Sequence, residues 1–131
     1  MAQVLRIQHV SVPMPPGGEP EARRFYGEIL GLQEKTPPSA LSHMNLVWFD
    51  AGADGLEIHV FENATGEAPV LAQHLCLQVD DVAGYRGELV GRGVDTQDTT
   101  EIHNRPRFFI RDPFGNQIEI TQVLGEYNQV P

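Results

Sequence analysis

Three histidines and one glutamate occupy positions where a half-buried β-strand would carry them on its polar face. His9, His59, His74 and Glu119 each adjoin apolar residues in stretches that alternate between apolar and polar side chains. Successive side chains of a strand point to opposite faces, so the apolar neighbours take the face that a helix covers. The four polar side chains are then expected on the opposite, concave face. Imidazole and carboxylate groups are typical ligands of a borderline divalent metal ion.

A metal site is the chemistry that these four residues predict. A single strand histidine is more often a packed or solvated residue than a ligand, so the prediction depends on all four positions together. They predict one bound divalent ion, with zinc, nickel, iron, cobalt or manganese as candidates. Glu119 and His59 are also candidate acid–base catalysts beside that ion.

The elements that would position these residues occur twice in the chain. In the first half the pattern predicts a strand, a helix and three strands, over residues 4–12, 19–30, 32–35, 44–49 and 56–61. In the second half it predicts the same order, over residues 73–79, 81–90, 94–97 and a hairpin at 108–121. Residues 13–18, rich in proline and glycine, are expected to form a loop outside any regular element.

The second half also repeats the polar positions of the first. His74 lies 65 residues after His9, and Glu119 lies 60 residues after His59. A change in loop length accounts for the difference between the two spacings. A duplicated β-α-β-β-β unit explains why the order of elements and the polar positions recur together.

The length, the net charge and the cysteine count of the chain limit the classes of protein to which it can belong. A chain of 131 residues is expected to form one domain, and its net charge of −9 argues against binding nucleic acid or an anionic membrane through a basic face. Cys76 is the single cysteine, so no internal disulfide can form and a reducing compartment is expected. The N-terminus lacks the long apolar run of a signal peptide, and we expect a cytoplasmic protein.

A turn motif near the end of the chain gives the most specific signal of family. Residues 112–119 read DPFGNQIE, in which Pro113 fixes one φ angle and Gly115 and Asn116 tolerate positive φ, as a tight hairpin requires. Together with the paired units and the helix ending FYGEILGL at residues 25–32, this motif resembles the vicinal oxygen chelate superfamily. That superfamily contains glyoxalase I, extradiol dioxygenases and bleomycin-binding proteins.

The resemblance implies an α+β fold, in which two tandem βαβββ modules form an incomplete, U-shaped β-barrel with helices outside. It implies a single domain over residues 1–131, with module one at 1–64, module two at 70–124 and a C-terminal tail at 125–131. In the family the metal ligands come from the first and last strands of the modules, which carries over onto His9, His59, His74 and Glu119. Many members form homodimers, so a homodimer is expected.

The implied activity has three alternatives. The leading one is a metal-dependent enzyme of the glyoxalase type, which stabilises an enediolate on a small substrate with vicinal oxygens. Glyoxalase I usually has a glutamate where this chain has His59, and His9, His74 and Glu119 alone would satisfy an iron(II) extradiol dioxygenase. The third alternative is a drug- or metabolite-binding protein of the bleomycin-resistance type.

Four further residues are candidates for contacting a small-molecule substrate. Arg105 and Arg107 precede the last hairpin and are able to meet an anionic group, although loop arginines are usually solvated. Trp48 alternates with a neighbouring aromatic residue along a strand, so one of the two is expected to line the cavity. Cys76 shares the predicted face of His74. Glu57 shares the face of His59 and would replace it as a ligand if the register differed by two.

Overall fold

The computed structural model describes residues 1–128, and it divides into two compact units at the bond between Glu67 and Ala68. Each unit contains one mixed β-sheet and one helical segment, so the predicted α+β fold class is confirmed. No helix within residues 1–128 has both the length and the apolar character needed to cross a membrane. Residues 129–131 of the predicted tail lie outside the described residues.

The first unit is a four-stranded sheet with a helical segment after its first strand. Its elements are β1 (His9–Met14), α1 (Glu19–Ala22) continuing as a π-helix (Arg23–Ile29), β2 (Glu34–Lys35), a 3-10 turn (Ser39–Leu41), β3 (Leu46–Asp50) and β4 (Glu57–Glu62). The strand order is β1-β4-β3-β2, with β1 parallel to β4 and the other pairs antiparallel.

The second unit has the same order of elements with fewer strands. Its elements are β5 (Leu75–Gln78), α2 (Val82–Gly91), β6 (Arg107–Arg111) and β7 (Gln117–Thr121). The strand order is β5-β7-β6, with β5 parallel to β7. Asp81 caps α2, because its Oδ1 accepts a hydrogen bond of 3.0 Å from the amide of Gly84.

Each sheet packs one apolar face against its own helix. In the first unit Tyr26 of the π-helix lies against Phe49 of β3 with ring centroids 5.7 Å apart. In the second unit Arg86 of α2 lies over the ring of Phe108 at 5.2 Å from its centroid. The apolar residues of both faces are almost wholly buried, including Val47, Phe49, Ile58, Val60, Phe108, Ile110, Ile118 and Ile120.

The strand registers confirm the internal repeat. Val10 pairs with Ile58 between β1 and β4, and the equivalent residues Leu75 and Ile118 pair between β5 and β7. Trp48 pairs with His59 in the first sheet, where the second sheet pairs Phe109 with Glu119. The two spacings inferred from sequence therefore map residue pairs of one sheet onto residue pairs of the other.

Three predictions about the strands and the first helix are wrong. The first strand begins at His9 rather than residue 4 and continues through Pro13, because β1 is an edge strand and tolerates a proline. The strand predicted at 94–97 is reduced to one bridge between Gln97 and Phe109. The first helix changes to π geometry, with the amide of Leu30 bonded to the carbonyl of Phe25 at 2.9 Å.

The DPFGN turn is organised by one buried carboxylate. Asp112, which is 4% exposed, accepts bonds at Oδ1 from the amides of Phe114 (2.9 Å) and Asn116 (2.8 Å), and at Oδ2 from Asn116 Nδ2 (2.7 Å). Gly115 has φ 90°, as the turn motif predicts. The turn fixes the register of β6 and β7, and hence the position of Glu119.

We expect Asp112→Ala to lower the free energy of unfolding by about 2–4 kcal/mol, because it leaves buried donors of the turn without their acceptor. Urea unfolding measures the change. Asp54→Ala, at an exposed loop aspartate of the first unit, is the control and should stay within about 0.5 kcal/mol of wild type. An Asp112→Ala protein as stable as the control would contradict this account of the turn.

Candidate functional site

The polar face of the first sheet carries a stack of three rings. The imidazole of His59 lies between the indole of Trp48, at 3.6 Å between centroids and 2° between planes, and the imidazole of His9, at 4.0 Å and 16°. The parallel pairing of β1 with β4 and the antiparallel pairing of β3 with β4 bring the three residues to this face. Trp48 Nε1 is buried and has no hydrogen-bond partner within residues 1–128.

His59 is further held by a pair of charged residues. Its Nε2 donates to Glu57 Oε1 at 2.9 Å, and Glu57 Oε2 accepts a hydrogen bond from Lys35 Nζ. The bond from Lys35, followed by that from His59, lowers the pKa of Glu57 to about 2, so this carboxyl group is ionised at neutral pH. Burial lowers the pKa of His59, which favours the neutral ring.

The hydrogen bond of His9 is made by Nδ1, whereas that of His59 is made by Nε2. Nδ1 of His9 lies 2.6 Å from Gln8 Oε1, and Gln8 Nε2 donates to the carbonyl of Gly55 at 3.4 Å, which orients the amide. Because Gln8 presents an acceptor, Nδ1 of His9 carries a proton, which leaves Nε2 as the nitrogen available to a metal ion. A histidine that donates through one nitrogen and binds through the other is typical of metal ligands.

The stack does not fit His9 and His59 as ligands of the same ion. A metal bound to imidazole lies about 2.0–2.1 Å from the nitrogen and close to the ring plane. The planes of these two rings are nearly parallel, with centroids 4.0 Å apart, so no point lies close to both planes. In addition, Nε2 of His59 is engaged by Glu57. The arrangement favours His9 as a ligand and His59 as a neighbouring group.

The polar face of the second sheet carries the other two predicted ligands. His74 lies immediately before β5 and its Nε2 is 3.1 Å from Glu119 Oε1, while its Nδ1 faces the carbonyl of Ala72 at 3.3 Å. Two ligands at right angles around an ion are about 3 Å apart when each bond is about 2.0–2.2 Å. His74 and Glu119 therefore fit adjacent positions around one metal ion, with Nδ1 of His74 donating to the main chain.

Arg107 orients Glu119 from the neighbouring strand. Its Nη1 donates to Glu119 Oε1 at 3.3 Å, and its Nε and Nη2 donate to the carbonyl of Thr100 at 3.2 and 2.9 Å. Arg107 also lies 5.7 Å from the centroid of Phe109. With this many internal partners, Arg107 is better placed to hold Glu119 than to bind a substrate, the role predicted from sequence.

The four predicted ligands thus form one pair in each unit, His9 with His59 and His74 with Glu119. Among residues 1–128, no cluster of three or more histidine, cysteine or acidic side chains is arranged to hold a metal ion. Binding of one ion by members of both pairs stays a prediction.

A cavity of about 230 Å³ opens beside Glu119 in the second unit. The lining includes two residues predicted to contact a substrate, Cys76 and Arg105, and one that the sequence did not indicate, Tyr127. The guanidinium of Arg105 lies 4.9 Å from the centroid of the Tyr127 ring and donates to the carbonyls of Asn104 and Gly125. A larger cavity of about 600 Å³ shares Ile102 and Arg105 with it.

Two residues of the candidate site, Lys35 and Tyr127, were not predicted from the sequence. Lys35 lies in a two-residue strand, too short to show alternation, so its approach to Glu57 was not predicted. Tyr127 reaches the cavity because the main chain after β7 is bonded to the loop before β6, for example from the amide of Leu124 to the carbonyl of Asn104 at 3.0 Å. Such contacts between loops leave no periodic signal in a sequence.

The sequence matches the family model of the Glyoxalase/Bleomycin resistance protein/Dioxygenase superfamily over residues 6–120, and the chain belongs to this family. A search of curated proteins returned no match. A crystal structure described as that of a glyoxalase family protein from Bacillus anthracis is similar, with 32% sequence identity and a TM-score of 0.86 over 94% of this chain and 98% of that one.

Two more distant structures share the fold. TnmS3, an antibiotic binding protein from Streptomyces sp. CB03234, is 21% identical, with a TM-score of 0.74 over 94% of this chain and 99% of its own. A glyoxalase/dioxygenase from Nostoc punctiforme is 19% identical, with a TM-score of 0.71 over 94% of this chain and 98% of its own. The structures that share this fold therefore include one described as a glyoxalase/dioxygenase and one described as an antibiotic binding protein.

The single cysteine provides a test of the environment beside Glu119. The side chain of Cys76 is exposed, and desolvation by neighbouring groups and then the charge of Glu119 raise the pKa of its thiol to about 11. At about pH 8 we expect its reaction with Ellman's reagent to be about 10- to 100-fold slower than that of a free thiol, because the thiolate is the nucleophile. Glu119→Gln should accelerate it by removing a negative charge. A rate equal to that of the urea-unfolded chain would contradict this arrangement.

Proposed function

We propose that the protein is a divalent-metal-dependent enzyme of the glyoxalase type that acts on a small molecule with vicinal oxygens. The observation that carries the proposal is the 3.1 Å approach of His74 Nε2 to Glu119 Oε1. At this distance there are two possible arrangements. Either the nitrogen carries a proton and donates it to the carboxylate, or its lone pair and the carboxylate oxygen bind the same metal ion. His9, with Nδ1 on Gln8, supplies the third ligand that we propose.

The chemistry that a bound divalent ion supplies is Lewis-acid polarisation of adjacent substrate oxygens. Glu119 then moves the proton: its carboxylate takes the proton from the substrate carbon beside the polarised oxygen and returns it to the neighbouring carbon. Arg107 keeps this carboxylate in position through the 3.3 Å bond to Oε1. His59 is neutral and has a lone pair at Nδ1, since Nε2 donates to Glu57, so it is the second candidate base.

The substrate that we propose occupies the cavity beside Glu119. The cavity has a volume of about 230 Å³, and Ile102, Thr121 and Tyr127 form part of its wall. Cys76, with a raised pKa, is expected to contact the substrate as a neutral thiol. We expect the protein to be a homodimer, as the family resemblance implies, and to be cytoplasmic, as its single cysteine indicates.

The first test is metal binding. Protein purified without chelator should contain about one divalent ion per chain, and His74→Ala should weaken binding by more than about 100-fold, because loss of a residue that only orients a ligand already costs about 10- to 100-fold. His59→Ala should weaken binding by only about 10- to 100-fold, since its ring orients His9 but does not fit beside it as a second ligand. Isothermal titration calorimetry with zinc, nickel and iron(II) measures these affinities.

His43→Ala, which removes an exposed loop histidine, is the matched control and should bind as wild type does. A metal-free protein whose melting temperature does not respond to any of these ions would contradict the proposal. Equal losses in the His59 and His74 variants would contradict the separate role assigned to His59.

The oxygenase alternative uses the same three ligands. Two histidines and one carboxylate, here His9, His74 and Glu119, are the donor set of non-haem iron(II) oxygenases. Anaerobic loading with iron(II), followed by catechols and oxygen, separates the two enzymes. A yellow ring-cleavage product would favour the oxygenase, and isomerisation of a 2-oxoaldehyde thiol adduct without oxygen would favour the glyoxalase reaction.

The cavity wall formed by Arg105 and Tyr127 favours a second candidate, a small-molecule-binding protein, as TnmS3 is described to be. For this candidate, ligand-dependent shifts in melting temperature should persist in a His74→Ala/Glu119→Ala double variant and fall in Tyr127→Ala. For the enzyme, the double variant should lose both metal-dependent and substrate-dependent shifts. A shift that persists in the double variant and requires Tyr127 would replace the enzyme with the binding protein.

A further inference from the structure

Buried Glu57 and half-exposed Lys35 form a charged pair that the proposed reaction does not use. Glu57 is 9% exposed and is the first residue of β4, where an unpaired buried carboxylate would be costly. Its Oε2 accepts from Lys35 and its Oε1 accepts from His59, and the side chain of Gln8 is a further donor. Lys35 also approaches Asp50 Oδ1 at 3.4 Å, so the ammonium group is held between two carboxylates.

We propose that Glu57, anchored by Lys35, is a positioning residue that fixes the tautomer and ring plane of His59 and, through ring stacking, the orientation of His9. A carboxylate only accepts hydrogen bonds, so the nitrogen of His59 that faces it must carry a proton. The lone pair is thereby assigned to Nδ1. The inference deepens the proposed function, and it rests on that function only in treating His9 as a ligand.

The ring plane follows from the same contact. His59 is 8% exposed and is confined on one side by Trp48, whose ring plane differs from its own by 2°. A bond from Nε2 to Glu57 removes rotation about the bond between Cβ and the ring, and the two constraints together leave a single orientation. His9 stacks on the opposite side of His59 at 16°, so the orientation of the inner ring sets that of the outer one.

Two independent contacts then hold His9. The stack sets the plane of the imidazole, and the bond from Nδ1 to Gln8 Oε1 at 2.6 Å sets its rotation within that plane. A metal ligand must be held within about 0.5 Å of its productive position. The chain from Lys35 through Glu57 and His59 supplies part of that restraint from residues that never contact the ion.

The second unit provides an internal comparison. The repeat places Gln117 at the position of Glu57 and Gln97 at the position of Lys35, and both side chains are neutral. At the position of His59 this unit has Glu119, which has no tautomer to fix. The charged pair is therefore present in the unit that has an imidazole at this position and absent in the unit that has a carboxylate there.

Long-range ¹H–¹⁵N spectra of metal-free protein at about pH 8, where free imidazole is neutral, measure the tautomers directly. In wild type, His59 should be protonated at Nε2 only, with ring protons shifted upfield by Trp48. Glu57→Leu should give a mixture of tautomers and remove the nuclear Overhauser effects between the rings of His9 and His59. Glu57→Gln, which keeps an acceptor oxygen, should retain the Nε2–H tautomer.

Glu62→Gln on the same strand is the matched control and should leave both rings unchanged. The fluorescence of Trp48, the single tryptophan, gives a second readout and should change in Glu57→Leu but not in the control. A wild-type His59 protonated at Nδ1 would overturn the inference even if the leucine variant did not fold. Because no metal is present, this result is separate from the metal titration, and either can fail alone.

Discussion

The parallel pairing of the first and last strands in each unit is the constraint on which the candidate site depends. It joins β1 to β4 and β5 to β7, so a residue near the start of each unit lies beside one near its end. The turn at Asp112 then fixes the last hairpin and brings Glu119 to the face that His74 also uses. Parallel strands need a crossover connection, which explains why a helix follows the first strand of each unit. The candidate site and the fold therefore depend on the same hydrogen-bonded ladders.

The two units share the same arrangement of strands but carry different charged groups on their polar faces. The first unit keeps an ionised Glu57 beside Lys35 and a neutral His59 inside a ring stack. The second unit places Glu119 beside His74 and Arg107, next to a cavity. We interpret the first sheet as the one that holds a ligand rigidly and the second as the one that adjoins the substrate. This division of roles agrees with the proposed acid–base function of Glu119.

Much of this architecture could be predicted from sequence because it follows from local patterns. The duplication was evident from the spacing of His9 and His74 and of His59 and Glu119, and the registers confirm it. Turn and cap chemistry placed the hairpin at Gly115 correctly, since positive φ has a strong residue preference.

What could not be predicted depends on contacts between distant elements. Alternation placed His59 on the polar face, but the stack that makes it a poor co-ligand of His9 depends on ring rotamers. Lys35 was missed because its strand is too short to show a period. The end of the chain beyond β7 reaches the cavity through loop contacts, which no propensity describes.

Anomalous diffraction from a crystal of the protein grown with zinc or cobalt would test directly whether His74 and Glu119 bind the metal ion. We expect a peak bonded to Nε2 of His74 and to an oxygen of Glu119. Nδ1 of His74 should still face the carbonyl of Ala72, and His59 should still be bonded to Glu57. A peak bonded to His59, or no peak beside His74 and Glu119 at full loading, would contradict this expectation.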